Sequence, residues 1–166
     1  MERRAPGIAD ARLKRLGDSA RLFALANLAT ADALISCWRP ITAIREGDTD
    51  RNPDTAPDPA WQPLVNTPPY PDYPSGANVV SGAMTRVLQL FFGTDRLEFD
   101  VTTTATEPVQ KTRTFTKLSD AAQEVVDARM YRGIHFRFAD EAARRQGQQV
   151  ANWVVGGFLR KERGRK

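Results

Sequence analysis

The chain has 166 residues, of which 41% are hydrophobic and 27% are charged, which excludes collagen-like, low-complexity and wholly disordered proteins. Its net charge of +4 equals that of residues 160–166 alone, where five basic residues accompany Glu162. We interpret this segment as a solubilising basic tail and expect no nucleic-acid binding. The chain is long enough for one domain with a proper core, and we predict a single domain over 1–166.

No membrane span and no signal peptide are predicted from the N-terminal half. The most apolar stretch, Ala20 to Trp38, is interrupted by Arg21, Asn27 and Asp32, and the N-terminus carries no apolar segment of the signal-peptide kind. As written, the chain is therefore expected to be cytoplasmic. A secreted or periplasmic location stays open if it is an N-terminally truncated fragment.

The first predicted elements are helical. Asp10 to Leu16 forms a short amphipathic turn that Gly17 ends, and Asp18 or Ser19 then caps a second helix. The apolar positions of this helix cover much of its surface, so we expect it to be mostly buried: they are Leu22, Phe23, Leu25, Ala26, Leu28, Ala29, Leu34 and Ile35.

A proline-rich loop is predicted over 47–74, because eight of the eleven prolines fall there and each removes a backbone donor. A loop of this length inside a compact domain is usually functional or disordered. It therefore points to a site.

Three further helices and a hairpin follow the loop. Ser75 is placed as the N-cap of a helix that ends at Gly93, and the Thr-, Val- and Phe-rich segment 97–115 suits a short β-hairpin. Ser119 caps a helix through Tyr131, and a last helix runs over about 136–159. We predict an all-α helical bundle with one long proline-rich loop and minor β content.

The cysteine and histidine counts restrict the chemistry. Cys37 is the only cysteine, which excludes an intrachain disulfide and a cysteine zinc cluster. His135 is the only histidine, so no mechanism can use two histidines of one chain. Nucleotide-binding, hydrolase and zinc-protease motifs are all absent.

Several segments have the character of an anion site. Trp38-Arg39-Pro40 places an arginine beside a rigid turn, Ser75-Gly76 places a hydroxyl and an amide at a helix N-terminus, and Arg129 precedes His135 by six residues. Each segment alone also has an ordinary structural explanation as a turn, a cap or a partly buried histidine. Together they suit a tetrahedral oxyanion.

Four segments resemble the bacterial vanadium-dependent haloperoxidase-like proteins of the type 2 phosphatidic acid phosphatase superfamily. They are 38–45, 67–76, 115–122 and 128–137, and the similarity extends over about residues 20–159. The resemblance implies a helical bundle that binds vanadate, with phosphate as competitor. It also implies that the chain resembles a shortened family member.

The resemblance carries over residue by residue to five positions. Arg39, Ser75, Gly76 and Arg129 would hold the equatorial oxygens, and His135 would be the apical ligand of vanadate or the phosphoryl-accepting nucleophile. The expected partners are halide and peroxide, or a phosphate ester.

Two family residues are missing. Family members continue Ser-Gly with a catalytic acid–base histidine, whereas Ala77-Asn78 follows here, and the lysine that precedes Arg-Pro has no counterpart near Arg39. Both look like deletions. Asp72 or Tyr73 in the same loop could take over the proton transfer.

Three functions therefore stay open. The sequence is compatible with a haloperoxidase-like domain with weak or lost turnover, with an acid phosphatase that uses a phosphohistidine, and with a non-catalytic oxyanion-binding module. The oligomeric state is not predicted.

Overall fold

The computed structural model describes residues 13, 15–37, 62–66, 68–70, 72–106 and 108–160. Arg39, residues 47–61 of the predicted loop, and the basic tail beyond Arg160 lie outside the described residues, as does most of the predicted turn over 10–16. The elements in chain order are α1 (Leu16–Cys37), α2 (Gly76–Phe92), β1 (Arg96–Thr102), β2 (Thr112–Lys117), α3 (Leu118–Tyr131) and α4 (Arg137–Gly157).

Helix α1 begins earlier than the sequence pattern predicts. Leu16 and Gly17 are already helical, and the backbone amides of Asp18 and Ser19 both donate to the carbonyl of Arg15. The prediction that Gly17 interrupts the chain and that Asp18 or Ser19 caps the helix is therefore wrong. A glycine in the first turn costs the helix little stability, because the backbone amides of that turn have no intrahelical acceptor in any case.

Only one face of α1 is buried, which corrects the prediction of a mostly buried helix. Leu22, Leu25 and Ala29 are in the core, whereas Phe23 is 57% exposed and Ile35 is 65% exposed. Among the described residues, α1 is also the one helix long and apolar enough to cross a membrane by length and composition. The core helix of a protein without membrane spans can be equally long and apolar, so the absence of a membrane-spanning helix stays a prediction.

The core lies where α1, α2 and α4 pack together. Helix α2 contributes Val79, Ala83 and Val87, all fully buried, against apolar residues of the other two helices. Two glycines allow the backbones of α2 and α4 to approach: a Cβ on Gly82 would collide with the Arg144 backbone, and one on Gly147 would collide with the carbonyl of Val79. The pairing of α2 with α4 thus depends on the absence of side chains at these positions.

The predicted hairpin is confirmed as an antiparallel pair, β1 with β2. Phe99 faces Phe115 with ring centroids 5.6 Å apart, and Leu97 is the buried residue of β1. Two strands alone are marginal in water, so the burial of Leu97 helps to stabilise them.

Helix α3 begins at Leu118, and its N-cap residue is Lys117 rather than the predicted Ser119. Ser119 instead donates through its amide and its hydroxyl to the Asp95 carboxylate, at 2.9 and 2.6 Å. Burial of Asp95 would raise its pKa, but these bonds and one from Gln89 outweigh it, so the pKa is lowered. Asp95, in the turn before β1, therefore caps the first turn of α3.

The all-α bundle with a minor hairpin is confirmed. The start of α2 at the Ser75 N-cap and its end at Gly93, which has a φ of 68°, agree with the prediction, as does α4. The arrangement brings the start of α2, the end of α3 and the start of α4 to one place in the structure.

Candidate oxyanion site

Ser75 and Gly76 form the entry to α2. Ser75 is the fully buried N-cap residue with an extended backbone, and its side chain makes no capping hydrogen bond. Its amide donates to the carbonyl of Ala139 at 3.4 Å, while the carbonyl of Pro74 accepts from Sγ of Cys37 at 3.1 Å. The serine is thereby held between α1 and α4, next to the unpaired amides and partial positive charge of a helix N-terminus.

Arg129 and His135 approach each other because the chain reverses after α3. Gly133 adopts a φ of 70°, its amide donates to the carbonyl of Met130 at 2.8 Å, and the amide of Ile134 donates to the carbonyl of Arg129 at 3.3 Å. This tight turn returns the imidazole to the last turn of α3. Nη2 of Arg129 then lies 2.9 Å from Nε2 of His135.

The contacts of His135 favour one tautomer. Nδ1 lies 2.5 Å from Oδ1 of Asp72, and both side chains are fully buried, so the carboxylate favours a proton on Nδ1. Arginine has no acceptor, so Nε2 of His135 must accept from Arg129 with its lone pair. The imidazole is thus oriented by Asp72 and presents an unprotonated Nε2, which is the form that acts as a ligand or nucleophile.

A second buried carboxylate joins the serine to the histidine. Asn78 donates through Nδ2 to Oδ1 of Asp140 at 2.7 Å and to Oγ of Ser75 at 3.3 Å. The same Oδ1 lies 3.9 Å from Nδ1 of His135. Ser75, Asn78, Asp140 and His135 therefore form one connected polar cluster inside the bundle.

Burial raises the pKa of Asp140 despite its partners. Hydrogen bonds from Ser75 and Asn78 act in the opposite direction, while the negative charge of Asp72 adds to the increase.

The structure brings together most of the residues that the sequence predicts. Arg129 contacts His135, and Ser75 joins the same cluster through Asn78 and Asp140. Gly76 follows Ser75 at the helix start, whereas Arg39 lies outside the described residues. Whether these residues bind a ligand stays a prediction.

Sequence reasoning missed Asn78 and Asp140 of this cluster, and also Tyr70, whose hydroxyl accepts from Nη2 of Arg129 at 2.5 Å. Asp72 was considered only as a proton acceptor, yet it is the partner of His135, and Tyr73 instead stacks its ring on Phe138 at 5.9 Å. A signal for the carboxylates was available, because a buried imidazole that presents one nitrogen usually needs a partner at the other.

The donor set is that of an oxyanion site. In the described part of the chain, no group of three or more His, Cys, Asp or Glu side chains is arranged to hold a metal ion. Nε of Arg129 is buried with no hydrogen-bond partner among the described residues. An unpaired guanidinium donor, a helix N-terminus and an imidazole lone pair fit vanadate or phosphate, in which charge is spread over several oxygens.

Comparison with known proteins gives a consistent result. A family model for the VCPO second helical-bundle domain matches residues 21–161. The vanadium chloroperoxidase of Curvularia inaequalis is 35% identical over 94 residues, which is 45% of this chain and 15% of that protein.

Solved structures support the same relationship. The first bacterial vanadium-dependent iodoperoxidase superposes with a TM-score of 0.71 and 34% identity, over 91% of this chain and 36% of that one. A bacterial vanadium-dependent chloroperoxidase in its apo form shares the fold, with a TM-score of 0.57 and 18% identity over 78% of this chain and 34% of that one. The chain thus spans a minor part of the length of these proteins. Because the family model matches most of the chain, this is a vanadium haloperoxidase-like protein that belongs to the family of the VCPO second helical-bundle domain.

Proposed function

We propose that the domain binds vanadate, with phosphate as competitor, between Arg129, His135 and the N-terminus of α2. The observation that carries this proposal is the 2.9 Å contact between Nη2 of Arg129 and Nε2 of His135. It brings a positively charged guanidinium and an imidazole lone pair to the same place. His135 would bind the group through Nε2, and Arg129, Ser75 and Gly76 would hold its oxygens. Arg39 is proposed to join them.

The protein's own residues prepare this site. Asp72 favours the proton of His135 on Nδ1 and thereby keeps Nε2 unprotonated, as a bond to the ligand requires. Asn78 donates to Oγ of Ser75 and holds the hydroxyl at the start of α2, where it also hydrogen-bonds to Asp140. When bound, vanadate supplies the Lewis-acidic centre at which peroxide is activated to oxidise a halide.

Turnover is proposed to be weak or lost. The residue after Gly76 is Ala77, so the acid–base histidine of the family is absent, and His135 is already used as the ligand. Losing a general acid–base group typically lowers the rate by about 10²–10⁴-fold. A domain that retains its anion site without this group would behave as an oxyanion-binding module.

An acid phosphatase is the second candidate, and it is supported by the lone pair that His135 directs from Nε2. The lone pair of Nε2 would attack phosphorus, an N–P bond would form, and the ester P–O bond would break. The leaving alkoxide would then take its proton from water, since no second histidine exists.

Titration of the purified protein with orthovanadate, followed by ⁵¹V NMR or calorimetry, tests the proposal. Saturable binding that phosphate competes away is expected, and Arg129→Ala should weaken it by about 1.5–3 kcal/mol, the worth of a charge-assisted hydrogen bond. Arg132→Ala is the matched control, because Arg132 is exposed and lies just beyond the same helix. Equal affinity in parent and Arg129→Ala would contradict the proposed site.

Bromide oxidation and phosphate-ester hydrolysis, assayed on the same samples, separate the two candidate chemistries. Binding without either activity would support the non-catalytic module.

A further inference from the structure

The hydroxyl of Tyr70 contacts the same guanidinium nitrogen that contacts His135. Oη of Tyr70 accepts from Nη2 of Arg129 at 2.5 Å, and Nη2 lies 2.9 Å from Nε2 of His135. The rings of Tyr70 and His135 are themselves neighbours, with centroids 6.2 Å apart. The three side chains therefore form a closed set of contacts.

Both protons of Nη2 are used in this arrangement. One is donated to the Tyr70 oxygen and the other to the lone pair of His135, so the planar guanidinium is fixed at two points. A long arginine side chain held by a single contact would retain much of its rotamer freedom. The tyrosine hydroxyl removes that freedom.

The arrangement also covers the reactive nitrogen. The side chain of His135 is fully buried, while Tyr70 is 39% exposed and Arg129 is partly exposed. A ligand that bonds to Nε2 must therefore displace Nη2 of Arg129 from it.

We propose that Tyr70 is a positioning residue that holds Arg129 across Nε2 of His135 until an oxyanion binds the guanidinium. The identity of the oxyanion rests on the proposed function. The contact by which Arg129 covers Nε2 of His135, called the cover below, does not. Tyr70 is not catalytic in this scheme, because it acts through Arg129.

The single histidine makes the cover measurable. Diethyl pyrocarbonate transfers an ethoxycarbonyl group to an unprotonated imidazole nitrogen and releases carbon dioxide and ethanol, and peptide mass spectrometry reports the product at His135. The reagent reacts only when Nε2 is uncovered. Tyr70→Phe keeps the ring and removes one oxygen, and we expect it to increase the modification rate roughly tenfold, as for loss of one hydrogen bond to a charged group.

Two further variants complete the experiment. Tyr131→Phe, the same change at a tyrosine that is 79% exposed on α3, should leave the rate unchanged. Arg129→Ala removes both contacts, so it should also speed modification, and it tests the cover if Tyr70→Phe does not fold. Thermal unfolding establishes that each variant is folded.

A folded Tyr70→Phe protein that reacts at the parental rate would overturn the proposal. Because modification is measured without vanadate, this failure differs from failure of the proposed function, in which the parent protein would bind no vanadate. In the Tyr70→Phe protein we expect faster vanadate association and dissociation than in the parent, and unchanged rates of both would likewise count against the role of Tyr70.

Discussion

Oδ1 of Asp72 lies 2.5 Å from Nδ1 of His135, in a contact that is fully shielded from solvent. This pair decides which nitrogen of the only histidine faces Arg129. Asp72 lies in the proline-rich loop, two residues before Pro74. Its effect is on the imidazole, and it turns a buried histidine into one with a directed lone pair.

Replacing Asp72 should therefore change both stability and tautomer. We expect Asp72→Asn to lower the free energy of unfolding by about 1–3 kcal/mol, since it weakens a buried contact to the imidazole. Chemical denaturation measures this loss, and ¹⁵N shifts of the single histidine should show the proton leaving Nδ1 for a mixture of tautomers. Asp120→Asn, at an exposed position, is the control. A variant with parental stability and an unchanged tautomer would show that Asp72 does not orient the ring.

Much of the fold could be predicted from the sequence. The helix over 76–92 was recognisable because its apolar positions repeat at helical spacing between Ser75 and Gly93, and both boundaries are set by local backbone chemistry. The outer face of α1 could not be predicted, because apolar Phe23 and Ile35 look like core residues in a sequence pattern. Only the packing shows which face is covered.

The sequence predicts the segments that contribute to the site, but not the hydrogen bonds that connect them. Ser75, Arg129 and His135 are short-range features of a helix start and a turn. The bond from Asn78 to Asp140 joins residues that are 62 positions apart, so no local spacing reveals it. It exists because α2 and α4 pack closely at their glycines.

The raised pKa of Asp140 predicts a stability that falls with rising pH. Between the ordinary carboxyl pKa and the raised pKa of the folded state, the folded protein binds more protons than the unfolded chain, so the free energy of unfolding decreases across that interval. Asp140→Asn should flatten this slope in urea titrations at several pH values. Glu98→Gln, at an exposed strand position, should leave the slope intact. A slope that persists in Asp140→Asn would assign it to another group.

The close approach of α2 and α4 gives a direct prediction for glycine substitutions. Gly147→Ala would place a methyl group against the carbonyl of Val79, and we expect a loss of about 1–3 kcal/mol or more in the free energy of unfolding. Gly156→Ala lies on the same helix with nothing near its Cβ position, so it should be neutral or stabilising by about 0.5–1 kcal/mol. Thermal or urea unfolding compares the two, and an equal effect would mean that the crossing tolerates a side chain.

The missing acid–base histidine is best restored by substitution at Ala77. Insertion of a residue between Gly76 and Ala77 would rotate the rest of α2 by about 100° relative to Ser75. That rotation would take Asn78 away from Asp140 and Gly82 away from the Arg144 backbone, both of which require the present register. Ala77 itself is partly exposed in the first turn, directly after Gly76, where a larger side chain need not enter the core.

We therefore expect Ala77→His to raise vanadate-dependent bromination above the parental level, by at most the 10²–10⁴-fold that general acid–base catalysis typically supplies. The insertion variant should be less stable and no more active than the parent, because it disturbs the cluster around Ser75 before any proton transfer is gained. The measurement is bromination of a reporter substrate with vanadate and peroxide, alongside urea unfolding of parent, substitution and insertion. Greater activity in the insertion variant than in Ala77→His would show that the family register resumes one residue later than α2 places it, and that a residue is in fact absent after Gly76.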